Sequence, residues 1–202
     1  MALKFANNNS LSAITSVPSG VGGGSLNLIS TTTASSSSTI DFTSGIDSTY
    51  KEYVFKFYDI HPASDNVNFT VNFRDGGSSF DATKTSSAFA AYQNEAGDTT
   101  GVNYEASFDL AQSTGNQLLN AGGGVGGDAD QSISGTLHLF DPSSTTFVKH
   151  YISNINFSNN SNYTIQSFIA GYCNTATAID GAQFSMSSGN IESGTIKLYG
   201  VS

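Results

Sequence analysis

Short stretches in which apolar and polar residues alternate recur along most of this chain, and this pattern constrains its fold more than any other feature. The clearest examples are residues 53–57, 67–73 and 195–199. A side-chain period of two is the pattern of a β-strand that has one buried and one solvated face. The chain is therefore predicted to be an all-β protein built from half-buried strands.

Nine strands are predicted, separated by turns rich in Gly, Pro, Asp and Ser. They cover residues 39–42, 51–60, 66–74, 88–93, 132–140, 145–154, 162–172, 176–186 and 194–201. Residues 104–112 are predicted to form one or two helical turns that point Tyr104, Phe108 and Leu110 inward. This pattern predicts an antiparallel β-sandwich that is jelly-roll-like. An immunoglobulin-type sandwich is the alternative, which the absence of Trp and of a cysteine pair disfavours.

The N-terminal part of the chain differs from the rest in composition. Residues 1–37 are predicted to be a flexible Ser/Thr/Gly-rich arm, in which residues 26–29 have the composition of a brief strand, and residues 38–202 to be the β-sandwich domain. A disordered tail is the simpler interpretation of the arm. The apolar residues near its start favour an extended arm that packs on a neighbouring subunit; they are Ala2, Leu3, Phe5, Leu11 and Ile14.

The charge composition argues against two classes of partner. Only 11% of the residues are charged, and the net charge is -9. Binding to nucleic acid or to an anionic membrane surface requires clustered Lys and Arg, whereas the seven basic residues here are scattered. Neither nucleic acid nor a membrane is therefore expected as a partner.

The cysteine content and the N-terminus indicate where the chain is made. Cys173 is the only cysteine, so no intrachain disulfide is expected, and a small buried filler is favoured over a nucleophile. The N-terminal residues contain no apolar run of signal-peptide length, and no stretch has the length of a membrane helix. Synthesis and folding in a reducing cytoplasm are expected.

The glycine-rich stretch 121–127 suggests ligand sites, but each has a simpler explanation. It lacks the Lys-Ser/Thr of a phosphate-binding loop, so nucleotide binding is not expected. Asp128 and Asp130 follow it, but one copy with two carboxylates does not complete a calcium shell of six to eight oxygens. We expect a mobile loop or an unusual backbone path.

Candidate catalytic and metal-binding residues form no recognisable constellation. His138 and His150 would lie almost opposite each other in a hairpin about Pro142, where a zinc pair is conceivable; His61 lies far from both in sequence. No third ligand is visible, so polar cross-strand neighbours are favoured. No spacing selects a glycosidase pair from the available carboxylates, which are Asp59, Glu95, Glu105, Asp109 and Asp180. A Gly-X-Ser-X-Gly elbow is also absent. We expect no catalytic, cofactor-binding or metal-binding residues, and no cofactor.

Three strings resemble a known family when they are taken together. The first begins Ile-Asp-Ser-Thr-Tyr and comprises residues 46–55, continuing to residues 58–63. The others are residues 138–145, His-Leu-Phe-Asp-Pro-Ser-Ser-Thr, and residues 187–201, which end Gly-Thr-Ile-Lys-Leu-Tyr-Gly-Val. The chain resembles virion structural proteins of tailed bacteriophages that infect marine bacteria, over about residues 39–202. The resemblance implies a β-sandwich on the virion exterior that is usually oligomeric. It brings no catalytic residues, and the arm matches less well.

The sequence therefore predicts a non-enzymatic virion structural protein, assembled in the host cytoplasm. A capsid decoration or head-fibre subunit is favoured over a tail or collar protein. We expect a homo-oligomer, with a trimer favoured, attached to the major capsid protein or other virion proteins through the N-terminal arm. A module that binds host glycan is the alternative from another class, and an envelope-degrading hydrolase is a third.

Overall fold

Residues 25–202, the part of the chain that the computed structural model describes, are mostly β-strand, as the alternating pattern predicts. They form two antiparallel sheets of eight and four strands that pack face to face. An all-β antiparallel sandwich is thereby confirmed. The jelly-roll prediction was more specific than this, and it stays a prediction. Within the described residues, no helix is long and apolar enough to cross a membrane.

Twelve strands make up the two sheets, and every pairing between them is antiparallel. In chain order they are β1 (Leu26–Thr33), β2 (Ile40–Phe42), β3 (Glu52–Pro62), β4 (Phe69–Arg74), β5 (Lys84–Asn94), β6 (Thr100–Tyr104), β7 (Gln117–Leu118), β8 (Ile133–Phe140), β9 (Lys149–Ser158), β10 (Tyr163–Cys173), β11 (Gly181–Met186) and β12 (Ile191–Val201). The large sheet has the order β1-β12-β3-β8-β9-β10-β5-β6, and the small sheet has the order β2-β11-β4-β7.

Each of the nine predicted strands overlaps an observed one, whereas the middle of the chain differs from the prediction. Two short strands, β6 and β7, lie where no strand was predicted, and the predicted helical segment contains only a short 3-10 turn, Ala106–Phe108. The inward orientation predicted for Tyr104 is wrong, because this residue ends β6 and is 64% exposed. Phe108 is partly buried and packs against the core.

The core lies between the two sheets and is dominated by aromatic rings. Phe184 on β11 contacts four of them, with centroid distances of 5.1 Å to Phe55, 5.3 Å to Phe57, 5.7 Å to Phe69 and 6.0 Å to Phe42. These five rings come from both sheets, and all are at most 4% exposed. Most of the pairs are edge-to-face, an arrangement that adds stability beyond the burial of apolar area. This aromatic cluster therefore joins the two layers.

The glycine-rich stretch is an ordered part of the core wall and follows an unusual backbone path. Val125 is fully buried, and its backbone exchanges hydrogen bonds with Val67 at 2.9 and 3.3 Å. Gly122 has a φ of +99°, which favours glycine. A Cβ on Gly124 would lie 2.6 Å from the backbone carbon of Asn66, so only glycine fits this close approach.

The N-terminal boundary of the domain lies earlier than the sequence suggested. Residues 26–33, which the sequence analysis assigned to the arm, form β1 and pair with β12 along the edge of the large sheet. Beyond β1, Ala34 is 5% exposed, and its backbone N–H donates to Gly194 O at 2.9 Å. The remainder of the predicted arm, residues 1–24, lies outside the described residues.

The packing of β1 predicts that two N-terminal truncations differ in stability. A chain lacking residues 1–37 loses β1 and leaves β12 as an unpaired edge, whereas a chain lacking residues 1–24 retains both strands. We expect the shorter chain to be less stable by about 2 kcal/mol or more, which lowers Tm by about 4–8 °C relative to the longer one. Thermal unfolding followed by circular dichroism measures the difference. Equal melting temperatures would show that β1 contributes nothing to the sandwich.

Candidate functional site

The outer face of the eight-stranded sheet has no covering layer within the described residues, and we call it the open face. The small sheet packs against the opposite, inner face, where the side chains are almost fully buried. Because successive residues of a strand point to opposite sides, each core residue is followed by one on the open face. On β9, for example, Tyr151 and Ile155 face the core while Ile152 faces outward.

Large apolar side chains are concentrated on the open face. Eight large hydrophobic residues are exposed in the described chain, and seven of them lie on strands of the large sheet. These seven are Leu26, Leu28, Tyr58, Phe89, Val102, Tyr104 and Ile152. The eighth, Phe147, lies in the loop between β8 and β9. Clustered apolar exposure of this kind marks interaction surfaces on soluble proteins.

Aromatic stacking orders part of the open face. The rings of Phe89 on β5 and Phe168 on β10 are stacked, with centroids 4.7 Å apart and planes 12° from parallel. They are direct register neighbours, and Phe89 remains 47% exposed. This half of the face therefore presents a flat aromatic platform to solvent.

The other half of the open face carries two lysines side by side. Lys56 on β3 and Lys197 on β12 are register partners, and their amines lie 5.4 Å from the Tyr199 ring and 5.3 Å from the Tyr58 ring. Neither amine has a hydrogen-bond or ion-pair partner among residues 25–202. Like charges directly opposite each other in a sheet are destabilising. A pair of this kind is unusual in a chain whose net charge is -9.

The remaining basic side chains in the described part of the chain are paired or buried. Lys51 contacts Asp141 at 2.8 Å, and Arg74 contacts Asp180 at 2.7 Å. Lys84 and Lys149 are both 0% exposed. Lys56 and Lys197 are half-buried, and they are therefore the lysines of residues 25–202 that have neither an acidic partner nor full burial.

A shallow depression of about 600 Å³ lies on the open face across β9, β10 and β5. The residues that line it include the small Ser87, Ala170 and Gly171 and the larger Ile152 and Tyr172. No carboxylate lines it. The depression therefore has room for a bulky ring but lacks an acid–base pair for hydrolysis.

The histidines do not adopt the arrangement that the sequence suggested. In the β8–β9 hairpin His138 pairs with Ile152, so the prediction that it lies opposite His150 is wrong. His138 Nδ1 instead lies 2.6 Å from Glu52 Oε1, and His61 Nδ1 lies 2.7 Å from the backbone oxygen of Gln131. Within residues 25–202, no group of three or more His, Cys, Asp or Glu side chains is arranged to hold a metal ion. Asp128 and Asp130 accordingly belong to no such group.

The candidate carboxylates make separate local contacts. Asp180 is bound by Arg74, and Asp109 accepts a hydrogen bond from the Tyr104 hydroxyl at 2.5 Å. Asp59 lies 3.4 Å from the Ser134 hydroxyl. Glu95 is exposed at the end of β5, and Glu105 lines a separate depression of about 290 Å³.

Cys173 lies between two buried lysines at one end of the inner face. It is the register partner of Lys84 on β5 and of Lys149 on β9, and all three residues are 0% exposed. Lys84 donates hydrogen bonds to Asn72 Oδ1 and to Ala82 O, and Lys149 donates to the backbone oxygen of Thr175 at 2.8 Å. Both amines are thus satisfied by neutral oxygens.

Burial shifts the pKa values of Lys84, Lys149 and Cys173. Desolvation lowers the pKa of Lys84 to about 8, and it lowers the pKa of Lys149. The pKa of the Cys173 thiol is raised by burial to about 12. A thiol with such a pKa is protonated and unreactive at neutral pH. Cys173 is therefore a buried filler, in agreement with the interpretation favoured from the sequence.

The lowered pKa of Lys84 predicts a rise in stability with pH. Between about 8 and the ordinary value of 10.5 the unfolded chain binds a proton that the folded protein lacks. The free energy of unfolding therefore increases with pH in this window, with a slope that approaches about 1.4 kcal/mol per pH unit. Below about pH 8 both states are protonated, and this contribution to the pH dependence vanishes.

Chemical denaturation at pH 7.0 and 8.5 tests whether the free energy of unfolding rises with pH. We expect the wild-type protein to gain stability over this interval relative to Lys84→Met, which lacks the group. Lys197→Met removes a charge from the open face and should keep the wild-type slope. Higher pH is avoided because the unfolded Cys173 thiol ionises there while the folded one does not, and this opposes the gain. Identical slopes for wild type and Lys84→Met would contradict the prediction.

The residues of the open face were not selected by the sequence analysis, although a signal for them is present. Residues 53–57 read Tyr-Val-Phe-Lys-Phe, so an apolar Val54 occupies a position that alternation reserves for a polar side chain. Phe89, Ile152 and Phe168 likewise occupy outward positions beside core residues. Apolar residues at positions where alternation predicts an outward side chain, on several strands, therefore indicate a second contact surface.

Comparison of the chain with models of known protein families, with curated proteins and with solved structures found no significant match.

Proposed function

We propose that this protein is a non-enzymatic structural subunit of a bacteriophage particle that contacts neighbouring subunits through its open face. Within the particle, the proposed role is a capsid decoration or head-fibre protein on the exterior. The partners are further copies of this chain, in a trimer on the sequence expectation, and the major capsid protein or other virion proteins. Attachment through the N-terminal arm is part of the same proposal.

The open face is the observation that carries the assembly role. The inner face of the large sheet and the small sheet already bury the aromatic core, so the outward apolar residues are not needed to form it. Seven of them nevertheless remain exposed on one face. The transfer of apolar surface out of water lowers the free energy. A partner that covers such a face therefore stabilises it.

The low charge of the face suits the same role. The charged side chains on it are few, chiefly Glu52, which contacts His138, and the lysine pair. Buried charges at an interface carry a large desolvation penalty, and interface centres are depleted in them. A surface of Ser, Thr, Asn and aromatic residues can therefore be covered at low cost.

The bacteriophage assignment is supported by the resemblance alone. The strings that carry it lie on or beside β3, β8 and β12. These strands are adjacent in the order β12-β3-β8, so the resemblance falls on one continuous region of the large sheet. That region includes Lys56, Tyr199 and His138 of the open face.

A host-glycan-binding module is the second candidate, and the depression on the open face favours it. Tyr172 and His150 line this depression of about 600 Å³ and offer aromatic surfaces on which a sugar ring can stack. Saturable binding of host polysaccharide to the isolated protein, lost in Tyr172→Ala, would support this candidate. A decoration protein should show no such binding.

Removal of apolar surface from the open face should weaken self-association. We expect the full-length protein to form oligomers in solution, and Phe89→Ala to raise the dissociation constant at least tenfold, which corresponds to about 1.4 kcal/mol. The physical reason is that the substitution removes a large apolar ring and its stacking on Phe168 from the contact. Light scattering coupled to size-exclusion chromatography measures the mass, and a mass of three chains would support the trimer.

Phe147→Ala is the matched control, because Phe147 is exposed but lies in a loop outside the open face. It should leave association unchanged. Equal loss of association in both variants, or a wild-type protein that stays monomeric at high concentration, would contradict the role of the face. Immunogold labelling of purified particles tests the virion assignment separately.

A further inference from the structure

We infer that the open face pairs with the same face of a second copy about a two-fold axis that runs along the strands between β8 and β9. In this arrangement Lys56 lies opposite Phe168 of the partner subunit. The inference rests on the proposed function, since it names the partner and the geometry of the contact that the function requires, and it replaces the trimer expected from the sequence with a two-fold dimer. It derives from the order of the strands and from the residues in each row across the sheet.

The symmetry of the strand order determines which residues meet. The large sheet has four strands on each side of the boundary between β8 and β9. A two-fold axis along this boundary, in the plane between two facing sheets, places β3 over β10 and β12 over β5 of the other copy. Rotation about this axis does not change the position of a residue along the strands. We call residues that are register partners across the sheet a row, and each residue therefore faces a residue of the same row in the partner subunit.

One row contains the two lysines on one side of the axis and the two phenylalanines on the other. In register order it is Lys197, Lys56, Thr136, Asn154, Phe168, Phe89 and Tyr104. Across the two-fold axis Lys56 therefore meets Phe168 of the partner subunit, and Lys197 meets Phe89 of the partner subunit. An ammonium over the face of an aromatic ring is an attractive contact, and desolvation strengthens it.

The neighbouring row matches a large side chain with a depression. In register order it is Leu28, Tyr199, Val54, His138, Ile152, Ala170 and Ser87. The axis places Tyr199 on β12 opposite Ser87 of the partner subunit, which lines the depression of about 600 Å³. The second copy thus supplies a ring for the depression and aromatic surface for the two lysines.

The size of the face agrees with a stable dimer. Eight strands spaced about 4.8 Å apart and four rows of outward residues give a surface of about 38 Å by 26 Å. This is about 1,000 Å² per subunit, close to the roughly 800 Å² of a standard interface. Packed sheets keep their mean strand directions within about 30° of each other, and a two-fold axis parallel to the strands lies within this range and keeps the rows aligned. Lys56 and Phe168 lie about 7 Å from the axis and stay in contact range.

A double cysteine variant tests this geometry directly. Lys56→Cys with Phe168→Cys places the thiols three strand spacings apart within one chain, about 14 Å. Across the proposed axis they face each other over the roughly 10 Å between packed sheets, which is too far for a disulfide but within reach of a short thiol-specific cross-linker. The native Cys173 is 0% exposed and does not compete. Such a cross-linker, added to the full-length protein at a concentration where wild type is associated, should give a covalent dimer on a denaturing gel. Circular dichroism checks the fold.

Leu28→Cys with Phe168→Cys is the matched control, since Leu28 is exposed on the same face but lies two strands and one row away from the position that meets Phe168. It should not cross-link. Ser87→Trp fills the depression from an exposed position and should weaken association of the otherwise native chain at least tenfold.

The outcomes separate this inference from the proposed function. Association that depends on Phe89 without cross-linking of the first pair, for example in a trimer, overturns the two-fold geometry and leaves the proposed function standing. Equal cross-linking of both pairs, or unchanged association of Ser87→Trp, also overturns the geometry. A monomeric wild-type protein overturns both.

Discussion

The contact of Phe184 with four other aromatic rings is the interaction on which the rest of the structure depends. It holds a four-stranded sheet against one face of an eight-stranded sheet. A four-stranded layer is about half as wide as an eight-stranded one, so loops must complete the wall of the core. The glycine-rich stretch does this with Val125, which is fully buried against Val67. Because the core closes on one side only, no other strand of residues 25–202 covers the opposite side of the large sheet.

The composition of the open face is that of a subunit that associates with others and not that of a monomeric protein. An ordinary half-buried sheet has polar side chains on its outer face. Here the outer face carries stacked phenylalanines, a depression and a pair of lysines that have no acidic partner among residues 25–202. These features lie on rigid strands, so the surface is preorganised, and a partner that covers it loses little conformational entropy.

The strands and the sandwich could be predicted because alternation is a local property. Each of the nine predicted strands overlaps an observed one, whereas β6 and β7 were missed because they are short and depend on pairing with β5 and β4. The register of His138 was also missed. The β8–β9 loop extends over residues 141–148, which is longer than the turn predicted at Pro142, and the longer loop brings Ile152 opposite His138. Both histidines still face outward because the shift is two residues, one full period of a strand.

The sequence by itself determined that the chain is an all-β sandwich with little charge and one thiol. Strand periodicity can be read from neighbouring residues, and charge and cysteine content are counts that need no structure. Only the tertiary structure decided that Lys56 and Lys197, 141 positions apart in the chain, are register partners. Likewise only the structure stacks Phe89 on Phe168, on the face of the large sheet that no other described strand covers. The reason is physical: strand order and register arise from pairing between distant segments, and no local pattern specifies which strands become neighbours.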